Sequence, residues 1–310
     1  MIYRDLKDKK EILHKFEEVL KKTNNQKEIL QDYYRFKKGY EQEKDSAYIL
    51  DFRYKGTKNS ILIHDVRLEV DGKTAQFDHI VVSRLGIYIF ESKFFSNRVE
   101  IDRYGNWYAY SKSGKKYGIT SPTEQNARHK ELLKSFLKQY DLIPKRFGIK
   151  INIEIKDFVL ISSNTVLEGE IPKNVIKYDK GINIIDEFLD EEADKFLGLN
   201  SAKMLANVMS RDEIKNIAKT IVKHNKPIEI DPEKQYLKYL YDKRLYKYIE
   251  KTGCDLNKYE IILISYKQPQ TPVEIKNLLN IDDETFKSKS LYKILNTILD
   301  YKSKEKKAYA

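Results

Sequence analysis

The stretch Gln76 to Lys93 decides the fold of this chain and reads QFDHIVVSRLGIYIFESK. Two short apolar runs flank the tetrad SRLG, in which Gly86 can take the positive φ of a tight turn. The pattern predicts a β-hairpin whose side chains alternate between two faces. Asp78 lies near the start of its first strand, and Glu91 and Lys93 lie at the end of its second.

The length of the turn sets which residues face one another across this hairpin. If the loop has two residues, Ser83 pairs with Gly86 and Asp78 lies opposite Glu91. If the loop has three residues, Asp78 is one place out of register, and a bulge is needed to bring the carboxylates together. The sequence leaves both alternatives open. In either case Glu91 and Lys93 share one face of their strand, because strand side chains alternate with period two.

Two carboxylates and a lysine on an apolar hairpin need partners, because burying an unpaired charge is costly. Carboxylate oxygens are the ligands that hard divalent cations prefer. A divalent cation with an ammonium group beside it suits the cleavage of a phosphodiester bond. The alternative is a surface salt bridge at a strand end, which is worth only about 0–1 kcal/mol.

The hairpin and its surroundings resemble the nuclease-related domain, NERD, a branch of the PD-(D/E)xK nuclease superfamily. The resemblance covers roughly residues 36 to 190, about half of the chain. A Glu-x-Lys match alone is weak, but the ordered set is much stronger. Three departures stand at Gln42, where the family often has glycine before Glu43, at Ser92, where threonine is common, and at Phe94-Phe95-Ser96-Asn97, which is less rich in glycine than usual. The residues that carry the resemblance are His64-Asp65-Val66, Phe77–Ser83, Gly86-Ile87, Phe90–Lys93, Trp107 and Pro122–Asn126.

The resemblance implies an α/β fold with a restriction-endonuclease-like mixed central sheet flanked by helices. It implies a metal-dependent nuclease, with an endonuclease and a DNA substrate favoured. Asp78, Glu91 and the main-chain carbonyl of Ser92 would hold Mg²⁺ or Mn²⁺, both of which accept oxygen ligands. Lys93 would orient the attacking water or stabilise the developing charge.

Two further polar residues are candidates for the same site. Glu43 lies on the inward stripe of a helix predicted from about Tyr33 to Phe52, where it completes the acidic cluster or remains a solvated charge. Gln125 follows a helix start at Ser121 and Pro122 and points toward the core. It orients the attacking water or a phosphate, or it only packs. The sequence does not choose between these roles.

For the neighbouring aromatic and histidine residues, structural roles are favoured over functional ones. His79 follows Asp78 but faces the other side of the strand, so a structural role is the expectation. Trp107 and the tyrosines between 104 and 117 either stack on bases or cover the sheet, and covering the sheet is favoured.

The charge of the chain favours a polyanionic partner. Its 310 residues include 58 Lys and Arg against 47 Asp and Glu, for a formal net charge of +11. Such an excess attracts nucleic acid by non-specific Coulomb forces. The resemblance favours DNA as the nucleic acid. The alternative is a composition bias toward lysine, and charge alone does not separate the two.

The cysteine content and the hydropathy of the chain indicate its expected cellular location. The single cysteine, Cys254, excludes an intrachain disulfide and any zinc cluster built on cysteine. No apolar run approaches the roughly 18 residues that span a bilayer. The N-terminal residues MIYRDLKDKKEILHKF carry charges where a signal peptide needs an apolar core. We expect a cytoplasmic protein without a membrane partner.

The chain divides into four predicted regions. Residues 1–35 form an N-terminal helical segment, with helix from 4 to 31 broken near 23–25. Residues 36–198 form the NERD-like nuclease domain, and residues 199–232 form helices and a linker. Residues 233–310 form a helical C-terminal domain with the spacing of a helix-turn-helix, although simple packing of two short helices is commoner. This tail would extend a nucleic-acid-binding surface or pair two protomers into a homodimer.

Two other functional classes compete with the nuclease. One is a non-catalytic nucleic-acid-binding or regulatory protein on a nuclease scaffold, since fold does not fix function. The other is a structural protein whose tail mediates oligomerisation. The complete series of Asp78, Glu91 and Lys93 favours the nuclease, because a degenerate relative often loses one member.

Overall fold

The computed structural model describes residues 1–95, 97–111, 113–178, 207–236 and 239. Residues 1–20 and 25–230 form one compact unit, and residues 21–24 and 231–310 form another. In the second unit, a one-turn helix begins after Asp231, whose carboxylate accepts a hydrogen bond from the Glu233 N–H. The predicted strand at 182–185, the helix at 186–197 and the helices of the C-terminal tail lie outside the described residues, as does the proposed helix-turn-helix.

The described part of the chain contains twelve strands and five helices. In chain order they are β1 (Ile2–Arg4), α1 (Lys10–Lys22), α2 (Lys27–Tyr54), β2 (Ser60–Val70), β3 (Lys73–Ser83), β4 (Gly86–Lys93), β5 (Arg98–Ile101), β6 (Trp107–Tyr110), β7 (Lys116–Ile119), α3 (Pro122–Gln139), β8 (Lys145–Arg146), β9 (Ile149–Lys150), β10 (Ile155–Ile161), β11 (Val166–Gly169), β12 (Val175–Lys177), α4 (Arg211–Lys223) and α5 (Pro232–Gln235).

A six-stranded mixed sheet forms the centre, in the order β1-β2-β3-β4-β10-β12. Strands β2, β3 and β4 form an antiparallel meander. Strands β1, β10 and β12 join this meander in parallel pairings. The prediction of a mixed central sheet flanked by helices is therefore confirmed.

Helices cover both faces of this sheet. On one face, Leu50 and Tyr54 lie one turn apart on α2 and pack in a cluster with Phe90 of β4. On the other face, Leu133 of α3 and Ile217 of α4 belong to the larger core cluster. Apolar residues at three- and four-residue steps give each helix one buried stripe, and this stripe holds it against the sheet.

A second, four-stranded sheet has the order β11-β5-β6-β7. Its buried side packs against the end of β10, where Val99, Ile101 and Trp107 cluster with Val159 and Ile161. The sequence predicts a hairpin of Arg98–Ile101 and Trp107–Tyr110 around the turn Tyr104-Gly105-Asn106, and the β5–β6 pair confirms it. The strands β7 and β11 are additions that the sequence pattern did not indicate, because their residues are mostly exposed.

Strands β2 and β3 each contain an irregularity, and the two irregularities lie opposite each other. In each strand, the odd-numbered side chains before the irregularity face α3 and α4, and after it the even-numbered ones do. The change in β2 occurs at Asp65, which has a φ of 50°. The ladder between these strands pairs His64 with His79 and Val66 with Phe77, and the intervening Asp65 and Asp78 do not pair. The residues on the α3 face are Ile61, Ile63, Val66, Leu68 and Val70 of β2 and Ala75, Phe77, Ile80 and Val82 of β3. Strict alternation is thus interrupted where Asp78 lies.

The turn of the central hairpin follows the two-residue alternative, because Ser83 pairs with Gly86. The expected reason for Gly86 is wrong, since its φ does not lie in the left-handed region. A Cβ atom at this position would lie 2.6 Å from the carbonyl oxygen of Glu154. That same oxygen accepts a hydrogen bond from the Ile87 N–H. Glycine is required here because another segment approaches the backbone closely.

The N-terminal region and one predicted strand differ from expectation. The chain begins with strand β1, which pairs with β2, and α1 starts only at Lys10, so a helix from residue 4 is wrong. The N-terminal ammonium group donates to the carbonyl oxygen of Tyr54 and fixes this edge. The apolar residues from Ile149 to Ile155 also predict a buried strand, and this prediction is wrong, because β9 ends at Lys150 and Ile149 is exposed.

Candidate functional site

A cavity of about 400 Å³ lies where β4 ends beside α2. It collects four of the five predicted catalytic residues, together with the predicted ligand Ser92. The residues that line it are Arg35, Lys38, Gly39, Glu43, Asp78, Glu91, Ser92, Lys93 and Phe94. The fifth predicted residue, Gln125, reaches the same group through a hydrogen bond to Glu91.

Asp78 lies where the pairing of β3 and β4 ends. The last pair of the ladder joins His79 and Phe90, and the Asp78 carboxylate then accepts a hydrogen bond of 2.8 Å from the Ser92 N–H. A side-chain oxygen thus takes the place of a main-chain acceptor. Burial, and next the charge of Glu91, raise the pKa of Asp78 to about 7, although the Ser92 N–H bond opposes this rise.

Glu91 is only 4% exposed, and only one of its two carboxylate oxygens has hydrogen-bond partners. Its Oε1 accepts hydrogen bonds from Lys93 Nζ at 2.6 Å and from Gln125 Nε2 at 2.9 Å. Its Oε2 is buried without a hydrogen-bond partner. Burial raises the pKa of Glu91, and the Lys93 ammonium offsets part of this rise. One carboxylate oxygen is therefore left with unsatisfied acceptor capacity.

The N-terminal half of α3 supports Glu91. Ser121 caps the helix by accepting from the Glu124 N–H, and Pro122 is the first helical residue, as the sequence predicts. Gln125 is half-buried and donates to Glu91, whereas Arg128, which we expected on the same face, is exposed.

His129 is a residue of this site that the sequence interpretation did not assign to it. Its Nδ1 is buried without a partner and lies 3.8 Å from Glu91 Oε2. Burial, and next the charge of Lys93, lower the pKa of His129 to about 4, so the ring is neutral near pH 7. The signal was present, because His129 follows Gln125 by four residues and so shares its side of α3.

Glu43 reaches the cavity from α2 and forms a salt bridge with Lys9. Its side chain is 21% exposed, so it is not a fully solvated helix charge. Burial, and next the charge of Asp78, raise the pKa of Glu43 to about 7. Three carboxylates thus share a confined volume in which ionisation is unfavourable.

A chain of hydrogen bonds runs through the sheet from α2 to Ser92. Asp51 Oδ1 lies 3.0 Å from His64 Nε2, and the two Nδ1 atoms of His64 and His79 are 2.6 Å apart. His79 Nε2 lies 2.7 Å from Ser46 Oγ, which lies 2.7 Å from Ser92 Oγ. His79 thus faces α2.

The hydrogen positions along this chain follow from donor and acceptor capacity. Burial lowers the pKa of His64 and holds that of His79 well below its usual value, so both rings are neutral. A carboxylate only accepts, so His64 Nε2 carries the hydrogen that it donates to Asp51. His64 Nδ1 therefore accepts from His79 Nδ1–H. His79 Nε2 therefore accepts a hydroxyl hydrogen, from Ser46 at 2.7 Å or from Ser92 at 3.3 Å, and Ser46 Oγ also lies 2.9 Å from the carbonyl oxygen of Gln42.

The arrangement fits a divalent cation in one respect. Glu91 Oε2 has no partner, while Asp78 and Glu43 are buried near it with raised pKa values. A cation beside these oxygens would favour their ionised forms. Among the described residues, however, no group of three or more His, Cys, Asp and Glu side chains is arranged to hold a metal ion. A cation here would therefore need main-chain or solvent oxygens besides the carboxylates.

A comparison with known families matches the part of the chain that builds this site. The model of the nuclease-related domain matches residues 38–166 of this chain. This segment is similar to the NERD family. The resemblance predicted from the sequence is thereby confirmed, and the NERD domain includes Glu43, Asp78, Glu91, Lys93 and Gln125. The general setting of NERD is the PD-(D/E)xK superfamily.

One curated relative can be aligned with more than half of this chain. An uncharacterized protein of Bacillus anthracis is 22% identical over 194 residues, which cover 60% of this chain and 76% of that protein. No solved structure matches the chain significantly. Within the described part of the chain, none of the helices combines the length and the apolar character needed to cross a membrane.

Proposed function

We propose that this chain is a metal-dependent nuclease that hydrolyses phosphodiester bonds, with DNA as the favoured substrate and internal cleavage as the favoured mode. The observation that carries the proposal is the state of Glu91. One of its oxygens is held by Lys93 and Gln125, and the other is buried and unpartnered beside Asp78. This is the side chain that a bound cation would complete.

Asp78, Glu91 and the Ser92 carbonyl oxygen are the proposed ligands of Mg²⁺ or Mn²⁺. When bound, such a cation polarises the scissile phosphate and lowers the pKa of the attacking water. The residues of the chain keep the ligand oxygens in place. The Ser92 N–H fixes the Asp78 carboxylate, and Gln125 fixes one oxygen of Glu91.

Lys93 is proposed to act on the substrate. Its ammonium is held 2.6 Å from Glu91, at the wall of the cavity, by a strand rather than a loop. Because the Lys93 ammonium is fixed there before the reaction, it stabilises the negative charge that develops on the phosphate, or it orients the attacking water. Glu43 is proposed as a further acidic member, which Lys9 holds in place.

The proposed partner is nucleic acid, bound largely through its phosphates. The net charge of +11 provides a long-range attraction. Arg35 and Lys38 add positive charge beside the carboxylates of the cavity. Affinity should therefore fall steeply with salt, with a slope of roughly −0.9 per phosphate contact on duplex DNA.

A second candidate is a non-catalytic nucleic-acid-binding protein on the same scaffold. It is favoured by the lysine partners of the acidic residues, since Lys9 neutralises Glu43 and Lys93 neutralises Glu91 without a metal. In that protein the carboxylates would only hold the lysines, and no cleavage would follow.

Incubation with plasmid and single-stranded DNA in Mg²⁺, Mn²⁺ or EDTA separates the two candidates. We expect cleavage that requires the metal and that is lost in Asp78→Asn, Glu91→Gln and Lys93→Met. Glu168→Gln is the matched control, because this carboxylate pairs with Arg98 on the second sheet. Binding without cleavage in every metal would favour the second candidate, and full activity of Lys93→Met would remove that residue from the mechanism.

A further inference from the structure

Gly39 lies in the interior of α2, where glycine is unfavourable. The helix continues from Lys27 to Tyr54 without interruption. Glycine is among the poorest helix formers because it loses the most backbone freedom. Its φ is not positive, and a Cβ atom built on it would meet nothing within 4 Å. Neither the backbone conformation nor the packing of the chain on itself accounts for glycine at this position.

The space beside Gly39 belongs to the cavity that holds the carboxylates. Arg35, Gly39 and Glu43 follow one another at intervals of four residues, so they lie in one line along α2. With a rise of about 1.5 Å per residue, each step along this line is about 6 Å. The line therefore runs from a cation, past a position without a side chain, to a carboxylate of the proposed site.

The cations at this end of the cavity have exposed and exchangeable contacts. The Arg35 guanidinium pairs with Asp32 at 2.9 Å, but its side chain is 79% exposed. Exposed pairs of this kind hold weakly. Lys38 Nζ lies 5.3 Å from the ring centre of Phe94, the residue after Lys93. Both cations can turn toward an anion that approaches the cavity without disturbing the buried core.

We propose that Arg35, Lys38 and Gly39 form a docking site for the sugar-phosphate backbone of a nucleic-acid strand. Arg35 and Lys38 contact phosphates that flank the scissile bond, and Gly39 leaves the helix surface bare so that the strand lies close against it. This inference rests on the proposed function, because the reactive phosphate of the same strand enters the cavity between Asp78 and Lys93.

Substitution of Gly39 separates docking from folding. Gly39→Ala and Gly39→Gln insert better helix formers into open space, so we expect thermal unfolding midpoints equal to or above that of the unchanged chain. The same substitutions should weaken binding, because a side chain occupies the path of the strand. We expect a smaller loss of affinity for alanine and a loss of about tenfold or more for glutamine, whose side chain is larger; a tenfold loss corresponds to about 1.4 kcal/mol.

Binding is measured by fluorescence anisotropy on the full chain in EDTA, with a labelled single-stranded DNA and its duplex form as probes. Arg35→Gln and Lys38→Gln should each reduce the slope of log affinity against log salt by about 0.7–0.9. Gly118→Gln is the matched glycine control, because its Cβ also meets nothing within 4 Å and it lies on β7 outside the cavity. Arg103→Gln, at the β5–β6 turn, is the charge control.

The possible results separate the two proposals. Unchanged affinity of both Gly39 variants, or a loss no greater than that of Gly118→Gln, would overturn the docking site even if the chain cleaves DNA. Affinity that depends on Gly39 and Arg35, without cleavage in any metal, would support the docking site and remove the nuclease proposal. No binding of either probe by the unchanged chain would overturn both.

Discussion

Replacing Glu91 by glutamine tests the cavity in the absence of nucleic acid. Glutamine keeps the shape of the side chain and one oxygen acceptor, but it removes the negative charge. Burial raises the pKa of Glu91, so its ionised form is unfavourable in the metal-free fold. In EDTA we therefore expect Glu91→Gln to be at least as stable as the unchanged chain, although the charge-assisted bond from Lys93 is weakened.

With a divalent cation the order should reverse. A cation at 100 times its dissociation constant stabilises the folded state by about 2.7 kcal/mol. For a unit of about 150–250 residues, each kcal/mol raises the unfolding temperature by about 2–4 °C, so the expected rise is about 5–11 °C. Loss of a ligand should reduce affinity by at least the 10–100-fold seen for outer partners of a metal site. The stabilisation then falls to about 0.4–1.4 kcal/mol at the same concentration.

The measurement is thermal unfolding by circular dichroism in EDTA and across a series of Mn²⁺ concentrations. Glu168→Gln should retain the full metal-dependent rise, since it lies on the second sheet. Two results would refute the reasoning. One is a rise of equal size in Glu91→Gln, and the other is no rise in the unchanged chain at any concentration.

Three further predictions concern other parts of the molecule. His129→Leu should weaken Mn²⁺ binding about 10–100-fold, and His129→Asn should restore part of it, because asparagine keeps a donor beside Glu91; equal affinities in calorimetry would exclude this positioning role. The Arg146 guanidinium lowers the pKa of Glu213 to about 2 from 4.5, so this pair stabilises the fold above pH 4.5 and loses its effect as pH falls toward 2. Urea midpoints of Glu213→Gln and the unchanged chain should therefore differ at neutral pH and converge in acid, and a constant difference would contradict this. Deleting residues 233–310 should leave cleavage intact while it either lowers DNA affinity or converts a dimer to a monomer in light scattering; no change in affinity or in oligomeric state would end both roles proposed for the tail.

The central hairpin was predictable because its signals are local. Two apolar runs around SRLG fix the strands, and the Glu-x-Lys pattern fixes which face carries the charges. The role of Gly86 was not predictable in the same way. It depends on the approach of Glu154, a residue far along the chain, and no turn pattern encodes such a contact.

Other features depend on contacts between distant segments. Strand β1 has three residues and is fixed mainly by main-chain bonds to β2, so its sequence carries little signal. The change of face at Asp65 defeats a period-two interpretation, because each half of β2 alternates correctly but the halves are out of phase. His129 was within reach, since it stands one helical turn from Gln125, but its contact with Glu91 required the packing of α3 on β4.

In the hydrogen-bond chain from Asp51 to Ser92, the charge of Asp51 decides which atoms of His64 and His79 are donors and which are acceptors. The effect of this charge therefore extends over several bonds. Asp51 is partly exposed, whereas Ser92 lines the cavity. Because Asp51 can only accept, the hydrogens of His64 and His79 are assigned in turn, and His79 Nε2 accepts from the hydroxyl of Ser46 or of Ser92. An asparagine at position 51 could donate as well as accept, which would allow the bonds of both rings to reverse. One charge at the far end of the chain thus decides whether His79 accepts or donates a hydrogen beside Ser92.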